Sequence, residues 1–235
     1  MTRLNLKTHA VPDLESGVHA TIHARSDTAL DRIVGRLVTL YPDSLCNPHW
    51  GEIVTLHPGR RVDICMMFVG LDQRQAEDLW RPFFDWVAAT PQDFTLTAPP
   101  IIQAIPARNA WDPAFLRAHL PQLIRSDDSP GAPEDNVFWT GNLAEAGHYI
   151  FAYHSLWLPR SLLAPEERSL LTDTLRNASR HASVELHFQN GLSGGTGLAV
   201  AATRDTEMNP KSAPRLRAGG CWRRGVARLS GHRRP

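Results

Sequence analysis

The first half of the chain alternates between strand-like and helix-like patterns of apolar residues. Apolar and polar positions alternate strictly in residues 17–25, which predicts a strand with one buried face. The same pattern predicts further strands at residues 50–57, 61–69 and 94–97. The His-Pro-Gly-Arg turn at residues 57–60 is typical of a hairpin and joins the second of these strands to the third.

Two helices are predicted between these strands. Apolar residues at helical spacing place the first helix after Ser26 or Asp27, either of which can cap it, and Pro42 is expected to end it. The second helix covers residues 72–89, where Pro82 predicts a kink or the start of a separate short helix. The resulting β-α-β-β-α-β order predicts an α+β fold of the ferredoxin-like type, with an antiparallel sheet and helices on one face.

The second half of the chain carries weaker patterns. Asp112 is predicted to cap a short helix that begins at the following proline. A strand, a helix and a further strand are then predicted at residues 148–158, 165–181 and 183–189. In the last strand Val184, Leu186 and Phe188 are expected to face the core. No internal repeat or linker interrupts the pattern, so residues 1–210 are predicted to form one domain.

Composition places the chain among ordinary soluble globular proteins. It has 235 residues, of which 42% are hydrophobic and 21% are charged. No apolar run approaches the roughly 20 residues of a membrane-spanning helix. The N-terminus lacks the apolar core of a signal peptide, so we expect a cytoplasmic protein with no membrane partner. Its three cysteines form no C-x-x-C pair, which argues against a disulfide framework and a cysteine zinc site.

The net charge of +1 combines an acidic body with a basic tail. Residues 211–235 contain eight basic residues and no acidic one, which leaves 17 basic and 24 acidic residues in the body. An acidic body argues against a specific nucleic-acid partner, since such proteins present a basic face. The tail lacks apolar periodicity, so we expect it to be disordered. Its Arg- and Gly-rich composition also matches a GC-rich gene translated out of frame, which suggests a frameshift near residue 211.

Polar residues gather on the predicted sheet face that points away from the helices. Residues two apart in a strand share a face. The sets that do so are His19 with Thr21 and His23, Trp50 with Glu52, His148 with His154, and Glu185 with His187 and Gln189. Such a face could line a binding site for a small ligand. The alternative is the ordinary solvated face of an antiparallel sheet.

Motifs for other chemistries are weak or absent in the sequence. A metal site needs converging His, Cys or carboxylate ligands, and no H-E-x-x-H or comparable spacing occurs, so we predict no metal site. The Gly-rich stretch at residues 191–197 could bind a phosphate, but it lacks the Walker lysine and is more typical of a flexible turn. No serine lies in a G-x-S-x-G elbow, and no nucleophile and base form a recognisable set.

Several short stretches occur in an order typical of one enzyme family. They are residues 47–52 (NPHWGE), 68–71 (FVGL), 80–83 (WRPF), 136–139 (NVFW), 155–159 (SLWLP), 185–192 (ELHFQNGL), 204–206 (RDT) and 209–210 (NP). Over about residues 12–210 the chain therefore resembles the C-terminal substrate (cap) domain of FAD-linked oxidases of the vanillyl-alcohol oxidase and berberine-bridge superfamily.

This resemblance implies the substrate side of a flavin oxidoreductase. In that family a separate N-terminal domain holds FAD and the cap sheet covers the isoalloxazine ring, so the polar face would meet flavin and substrate. The implied chemistry is hydride transfer to FAD from an alcohol, a sugar or a similar small donor. Glu52 and His187 are then the expected proton acceptors. The residues expected to face flavin or substrate are Trp50, His154, Gln189 and Asn190.

The resemblance covers the substrate side alone. Nothing before Pro12 could hold FAD, and no phosphate-binding loop of the family occurs in the chain. We therefore expect an inactive fragment whose partners are a missing flavin-binding domain and a small-molecule substrate, and which does not bind FAD tightly by itself. The alternative is a stand-alone ferredoxin-like module without catalysis, which uses the same face for a small ligand or for dimerisation.

Overall fold

A six-stranded antiparallel sheet forms the centre of the protein. The structure is a computed structural model that describes residues 10–140, 150–151, 158–188, 197–202 and 226–227. The strands of the described residues are β1 (Leu14–Ala24), β2 (Trp50–His57), β3 (Arg61–Val69), β4 (Phe94–Leu96), β5 (Ile101–Pro106), β6 (Ile124–Ser126), β7 (Val137–Trp139), β8 (Ile150–Phe151), β9 (Val184–Phe188) and β10 (Val226–Ala227). The helices are α1 (Asp27–Leu40), α2 (Gln73–Ala88), α3 (Pro113–His119), α4 (Arg168–Ser179) and α5 (Gly197–Ala202).

The strand order confirms the predicted α+β fold. β4, β1, β3 and β2 lie side by side in this order and pair antiparallel, as the β-α-β-β-α-β pattern predicts. Two more strands extend this arrangement, since β9 pairs with the outer edge of β2 and β5 pairs with β1. β1 is long enough to serve two partners along one edge, because residues 22–24 pair with β4 and residues 14–19 pair with β5.

Capping side chains start the helices where the sequence predicts them. The Ser26 hydroxyl accepts the backbone N–H of the residue three positions later, at 3.0 Å, and so begins α1. α2 begins with a capping box in which Asp72 and Gln75 each accept the other's backbone N–H. Asp112 accepts two N–H groups of the first turn of α3. None of the described helices combines the length and apolar character needed to cross a membrane.

α1 ends just before Pro42, as the sequence predicts, whereas α2 continues through Pro82. A π-helical turn over Tyr41–Leu45 carries the chain past Pro42, which sits in the first turn, where a backbone N–H is not needed. Pro82 lies inside α2, and it does not start a separate short helix. Its position on the exposed side of α2 explains this tolerance, because the carbonyl left without a partner can bond to water.

The main core lies between the sheet and a layer formed by α1, α2 and α4. Inward-facing strand residues alternate with polar ones, and Val184 and Leu186 are buried here as predicted. Phe188 is half-buried and packs its ring 4.2 Å from that of Tyr41, between centroids. Aromatic rings from α2, β2 and β3 form the centre of this core, namely Trp80, Phe83, Phe84, Trp50 and Phe68.

Ion pairs fasten α4 to α1 and so fix the start of β9. Arg176 of α4 pairs with Asp31 of α1 and with Asp173 of its own helix. Arg180, just after α4, pairs with Asp27 at the start of α1. Ion pairs near a protein surface contribute little energy individually, but the pairs of Arg176 and Arg180 both connect this region to α1. Because β9 begins only a few residues after α4, its entry into the sheet is defined as well.

A second apolar cluster packs on the other side of the sheet, along β5. Ile105 lies opposite Glu15 in the β1–β5 ladder, whereas the neighbouring Ile102 and Ala104 pack against the main core. The cluster therefore covers the β5 edge of the sheet face opposite α1, α2 and α4. The ferredoxin-like prediction places no helix on that face. The buried members of the cluster are Ile105, Ala110, Leu116, Leu120, Leu123 and Ile124.

Several sequence predictions concern residues that the structure does not describe. Of the strand predicted at residues 148–158, the described part is β8 and the final residue, and β8 pairs with β10. The tail predicted to be disordered, residues 211–235, lies outside the described residues except for β10.

Candidate functional site

The side of the sheet opposite α1, α2 and α4, here called the polar face, carries its side chains in rows across the strands. Residues opposite one another in an antiparallel ladder share a face, so strand pairing defines each row. The first row contains His19, Cys65, Ile53 and His187, the second Thr21, Asp63, Thr55 and Glu185, and the third His23, Arg61 and His57. The polar residues of β1 and β9 therefore lie on one surface, four strands wide.

Glu52 has a left-handed backbone conformation within β2, with φ at 69°. Its ladder partners Met66 and Phe188 belong to the core side, so regular alternation would bury the Glu52 carboxylate in the core. The side chain is exposed instead. Burial, followed by the charges of Glu52 and Asp63, raises the pKa of the Cys65 thiol on the polar face. A non-glycine residue in this conformation is strained, and such strain concentrates at functional sites.

Trp50 does not face the polar side, contrary to the prediction. It is 1% exposed, and its ring packs on Trp80 of α2 and on Phe68, with centroids 6.0 and 5.0 Å apart. Regular alternation predicts that Trp50 and Glu52 share a face, because residues two apart in a strand point the same way. The left-handed φ of Glu52 breaks that alternation, so only the glutamate leaves the core. Trp50 is a core residue.

His187 lies on the polar face of β9 and is paired with a carboxylate. Its Nε2 is 3.1 Å from Oε2 of Glu185, and both side chains are largely shielded from solvent. In the β2–β9 ladder, Glu52 lies opposite Phe188 and His187 lies opposite Ile53, so the two predicted proton acceptors occupy adjacent positions on neighbouring strands. The other predicted facing residues, His154, Gln189 and Asn190, lie outside the described residues.

A half-buried imidazole and a half-buried thiol form a neutral pair in the first row. Nδ1 of His19 lies 3.4 Å from Sγ of Cys65. Burial lowers the pKa of His19, whereas burial and the nearby carboxylates raise that of Cys65. Both shifts oppose a thiolate–imidazolium pair, so this contact lacks the charge state of a cysteine nucleophile. Gly17 leaves room for the arrangement, because a Cβ there would lie 2.9 Å from the Met66 carbonyl oxygen and 3.1 Å from His19 Nε2.

Acidification is expected to destabilise the fold through His19. Because its pKa is lowered in the folded state, the unfolded chain binds a proton at this residue at a higher pH than the folded chain does. The free energy of unfolding should therefore fall as pH drops below the ordinary histidine pKa of about 6.5. Urea denaturation at a series of pH values should show a smaller fall in His19→Asn. The exposed His23 provides the control, and an unchanged pH dependence in His19→Asn would contradict the prediction.

A hydrogen-bonded network that the sequence did not reveal joins β2, β3 and the start of β9. His57 Nδ1 lies 3.0 Å from the Ser183 hydroxyl, and His57 Nε2 lies 2.8 Å from Oδ2 of Asp63. Thr21 donates to the other Asp63 oxygen at 3.0 Å, and Arg61 lies 3.2 Å from Oδ2. The 126 positions between His57 and Ser183 explain why no local motif could predict the contact.

The carboxylate in this network is held in its ionised form. Burial alone would raise the pKa of Asp63, but the hydrogen bond and charge of His57, the charge of Arg61 and the Thr21 hydroxyl outweigh it, so the net shift is downward. Asp63 is therefore negatively charged at neutral pH. Within the described residues, no group of three or more His, Cys, Asp or Glu side chains is arranged to hold a metal ion.

An apolar cavity of about 50 Å³ lies on the opposite side of the sheet, under α1 and α4. Its walls include Val34, Leu37, Leu56, Leu175 and Leu186. Apart from Tyr41, its lining residues among those the structure describes are apolar, so no carboxylate or imidazole in the lining could accept a proton. The polar face is the better candidate site.

Comparisons with known proteins connect the fold to flavoproteins. No protein-family model and no curated protein matches the chain. Among solved structures, the VAO-type flavoprotein MtVAO615 from Myceliophthora thermophila C1 matches at 18% identity with a TM-score of 0.54, over 94% of this chain and 34% of that one. The VAO-type flavoprotein MtVAO713 from the same organism matches at 11% identity with a TM-score of 0.49, over 90% of this chain and 34% of that one. The chain thus spans about a third of the flavoproteins that it matches, and it shares the fold of that third of MtVAO615.

Proposed function

We propose that this chain is the substrate-binding, or cap, part of an FAD-dependent oxidoreductase that oxidises an alcohol, a sugar or a similar small donor. The likeness in fold to a third of a VAO-type flavoprotein supports this origin. The position of the strained Glu52 beside the His187–Glu185 pair supports a binding role for the polar face. That juxtaposition of two proton acceptors is the observation that carries the proposal.

The polar face suits the ring end of a flavin better than its phosphates. Gly17 and Gly51 flank Met67 in one row of the sheet, and glycine within a strand allows a ligand to approach the backbone closely. The N-termini of α1 and α2, which could otherwise attract a pyrophosphate, are occupied by the capping side chains of Ser26 and Asp72. When bound, FAD supplies the acceptor for the hydride.

The residues of this chain would orient the donor and take its proton. The Glu52 carboxylate or the neutral His187 imidazole can accept the hydroxyl proton of the donor as the hydride leaves. Glu185 holds the ring of His187 by a 3.1 Å contact at Nε2. His154, Gln189 and Asn190 are proposed to complete the flavin- and substrate-facing surface.

We further propose that the chain is a fragment of such an enzyme. It spans about a third of the flavoproteins that it matches, and the phosphate and adenine contacts of FAD would belong to the missing domain. The isolated chain is then inactive and binds FAD only through weak ring contacts.

Complementing the chain with the flavin domain of a close relative tests the proposal. Glu52→Gln and His187→Ala should each be made, and flavin reduction by the donor should be followed by its absorbance. We expect a loss of about 10²-fold or more in the reduction rate for at least one variant, since a positioned base contributes about 10²–10⁴-fold. The matched control is His23→Ala, an exposed histidine of the third row, which should leave the rate unchanged.

The outcomes separate the two classes of function. An unchanged flavin reduction rate in both variants would show that neither Glu52 nor His187 takes the proton of the donor. It would not contradict the proposed flavoprotein origin. No reduction with any flavin domain would favour the alternative, a stand-alone module. Such a module would use the same polar face for a small ligand or for dimerisation.

A further inference from the structure

We propose that Ser183, His57 and Asp63 form an acyl-transfer site that hydrolyses small carboxylic esters, independently of any flavin chemistry. The three side chains satisfy the geometric requirements of a nucleophile, a base and a group that orients the base. The Ser183 hydroxyl lies 3.0 Å from His57 Nδ1, and His57 Nε2 lies 2.8 Å from Asp63 Oδ2. The network lies at the opposite end of β9 from His187 and shares no side chain with the proposed flavin-facing site.

The surroundings of Asp63 determine which ring nitrogen carries the proton. Thr21 and Arg61 bind the Asp63 carboxylate, so this group is fixed in place and has no proton to donate. His57 must therefore donate its Nε2–H to Asp63, which leaves Nδ1 free to accept the proton of the Ser183 hydroxyl. This is the arrangement of a serine hydrolase with the roles of the two imidazole nitrogens exchanged.

The chemical step needs only the ester and water. The Ser183 oxygen attacks the carbonyl carbon and forms a C–O bond, while its proton passes to His57 Nδ1. The carbonyl π electrons move to oxygen and then return, which breaks the bond to the leaving alkoxide. His57 gives that alkoxide its proton. Water then attacks the acyl-serine, again with His57 as the base, and releases the acid and the free Ser183 hydroxyl.

Arg61 is the group best placed to stabilise the negative charge that develops on the carbonyl oxygen. It is the direct cross-strand neighbour of His57. One of its terminal nitrogens binds Asp63, whereas its buried Nε lacks a hydrogen-bond partner among the described residues. A buried donor without a partner is costly unless a ligand uses it. His57 and Asp63 are partly exposed on a sheet face, so a small ester can reach the site from solvent.

Covalent labelling of the whole chain with a fluorophosphonate tests the proposal. In the labelling reaction the Ser183 oxygen bonds to phosphorus, fluoride leaves, and the proton passes to His57. We expect peptide mass spectrometry to show labelling at Ser183 at least about 10-fold faster than at the exposed Ser161 of the same molecule. His57→Asn and Asp63→Asn should each remove this preference. His23→Asn, which changes an exposed histidine of the same row, should retain it.

Two results would overturn the proposal. Equal labelling of Ser183 and Ser161 in the unsubstituted chain would show that His57 does not activate the serine, and this comparison requires no variant to fold. A preference for Ser183 that survives in folded His57→Asn and Asp63→Asn would show that neither side chain activates the serine. In either case the network would have a structural role and hold the start of β9 against the β2–β3 hairpin by hydrogen bonds.

Discussion

Replacing Trp50 by alanine is expected to lower the free energy of unfolding by about 3–5 kcal/mol, the usual range for removing a buried aromatic side chain. Trp50 is 1% exposed and contacts Trp80 and Phe68 in the centre of the main core. Its removal would leave a large cavity between β2 and α2, which the surrounding rings cannot fill without leaving their rotamers. Denaturant unfolding followed by circular dichroism measures the loss.

Trp111→Ala is the matched control for this experiment. The same change at a side chain that is 81% exposed should alter the free energy of unfolding by no more than about 0.5 kcal/mol. If Trp50→Ala were as mild as Trp111→Ala, the assignment of Trp50 to the core would be wrong, and its predicted role on the polar face would have to be reconsidered.

Replacing Leu120 by alanine is expected to lower the free energy of unfolding of the region that contains the second apolar cluster by about 2–5 kcal/mol. Leu120 is fully buried and packs with Ile105 and Leu116 on the side of the sheet away from the main core. Because the sheet separates the two clusters, we expect amide hydrogen exchange to accelerate mainly in β5, α3, β6 and β7. Protection in β2 and β3 should be retained.

The exposed Leu170 provides the control for Leu120, since Leu170→Ala removes the same atoms from a side chain on the surface of α4. It should leave exchange in β5 and α3 unchanged. Uniform acceleration in Leu120→Ala across β2, β3 and α1 would instead show that both clusters unfold as one cooperative unit.

Local sequence signals predicted much of the fold because they act over a few residues. The hairpin of β2 and β3 follows from two alternating runs around the turn at residues 57–60. The extent of α2 follows from apolar residues at helical spacing within residues 72–89. The position of the second cluster could not be predicted in this way. It depends on β5 pairing with β1, and the strand pattern does not specify which partner β5 chooses.

The candidate site was less predictable because it depends on strand pairing and on one backbone angle. Alternation predicted that His187 and Glu185 share a face. The same rule failed for Trp50, since it cannot anticipate the left-handed φ of Glu52. The contact between His57 and Ser183 requires β9 to lie beside β2, a long-range pairing that no local pattern encodes.

The pairing of β9 with β2 also has a consequence for the order in which the protein folds. Val54 and Leu186 are paired although they lie 132 positions apart, whereas a turn of a few residues joins β2 to β3. Closing the longer loop costs more entropy and takes longer, so the hairpin forms early and β9 docks late. Until then β2 presents a free edge that another molecule can occupy. We therefore expect productive folding to compete with aggregation through this edge until β9 docks.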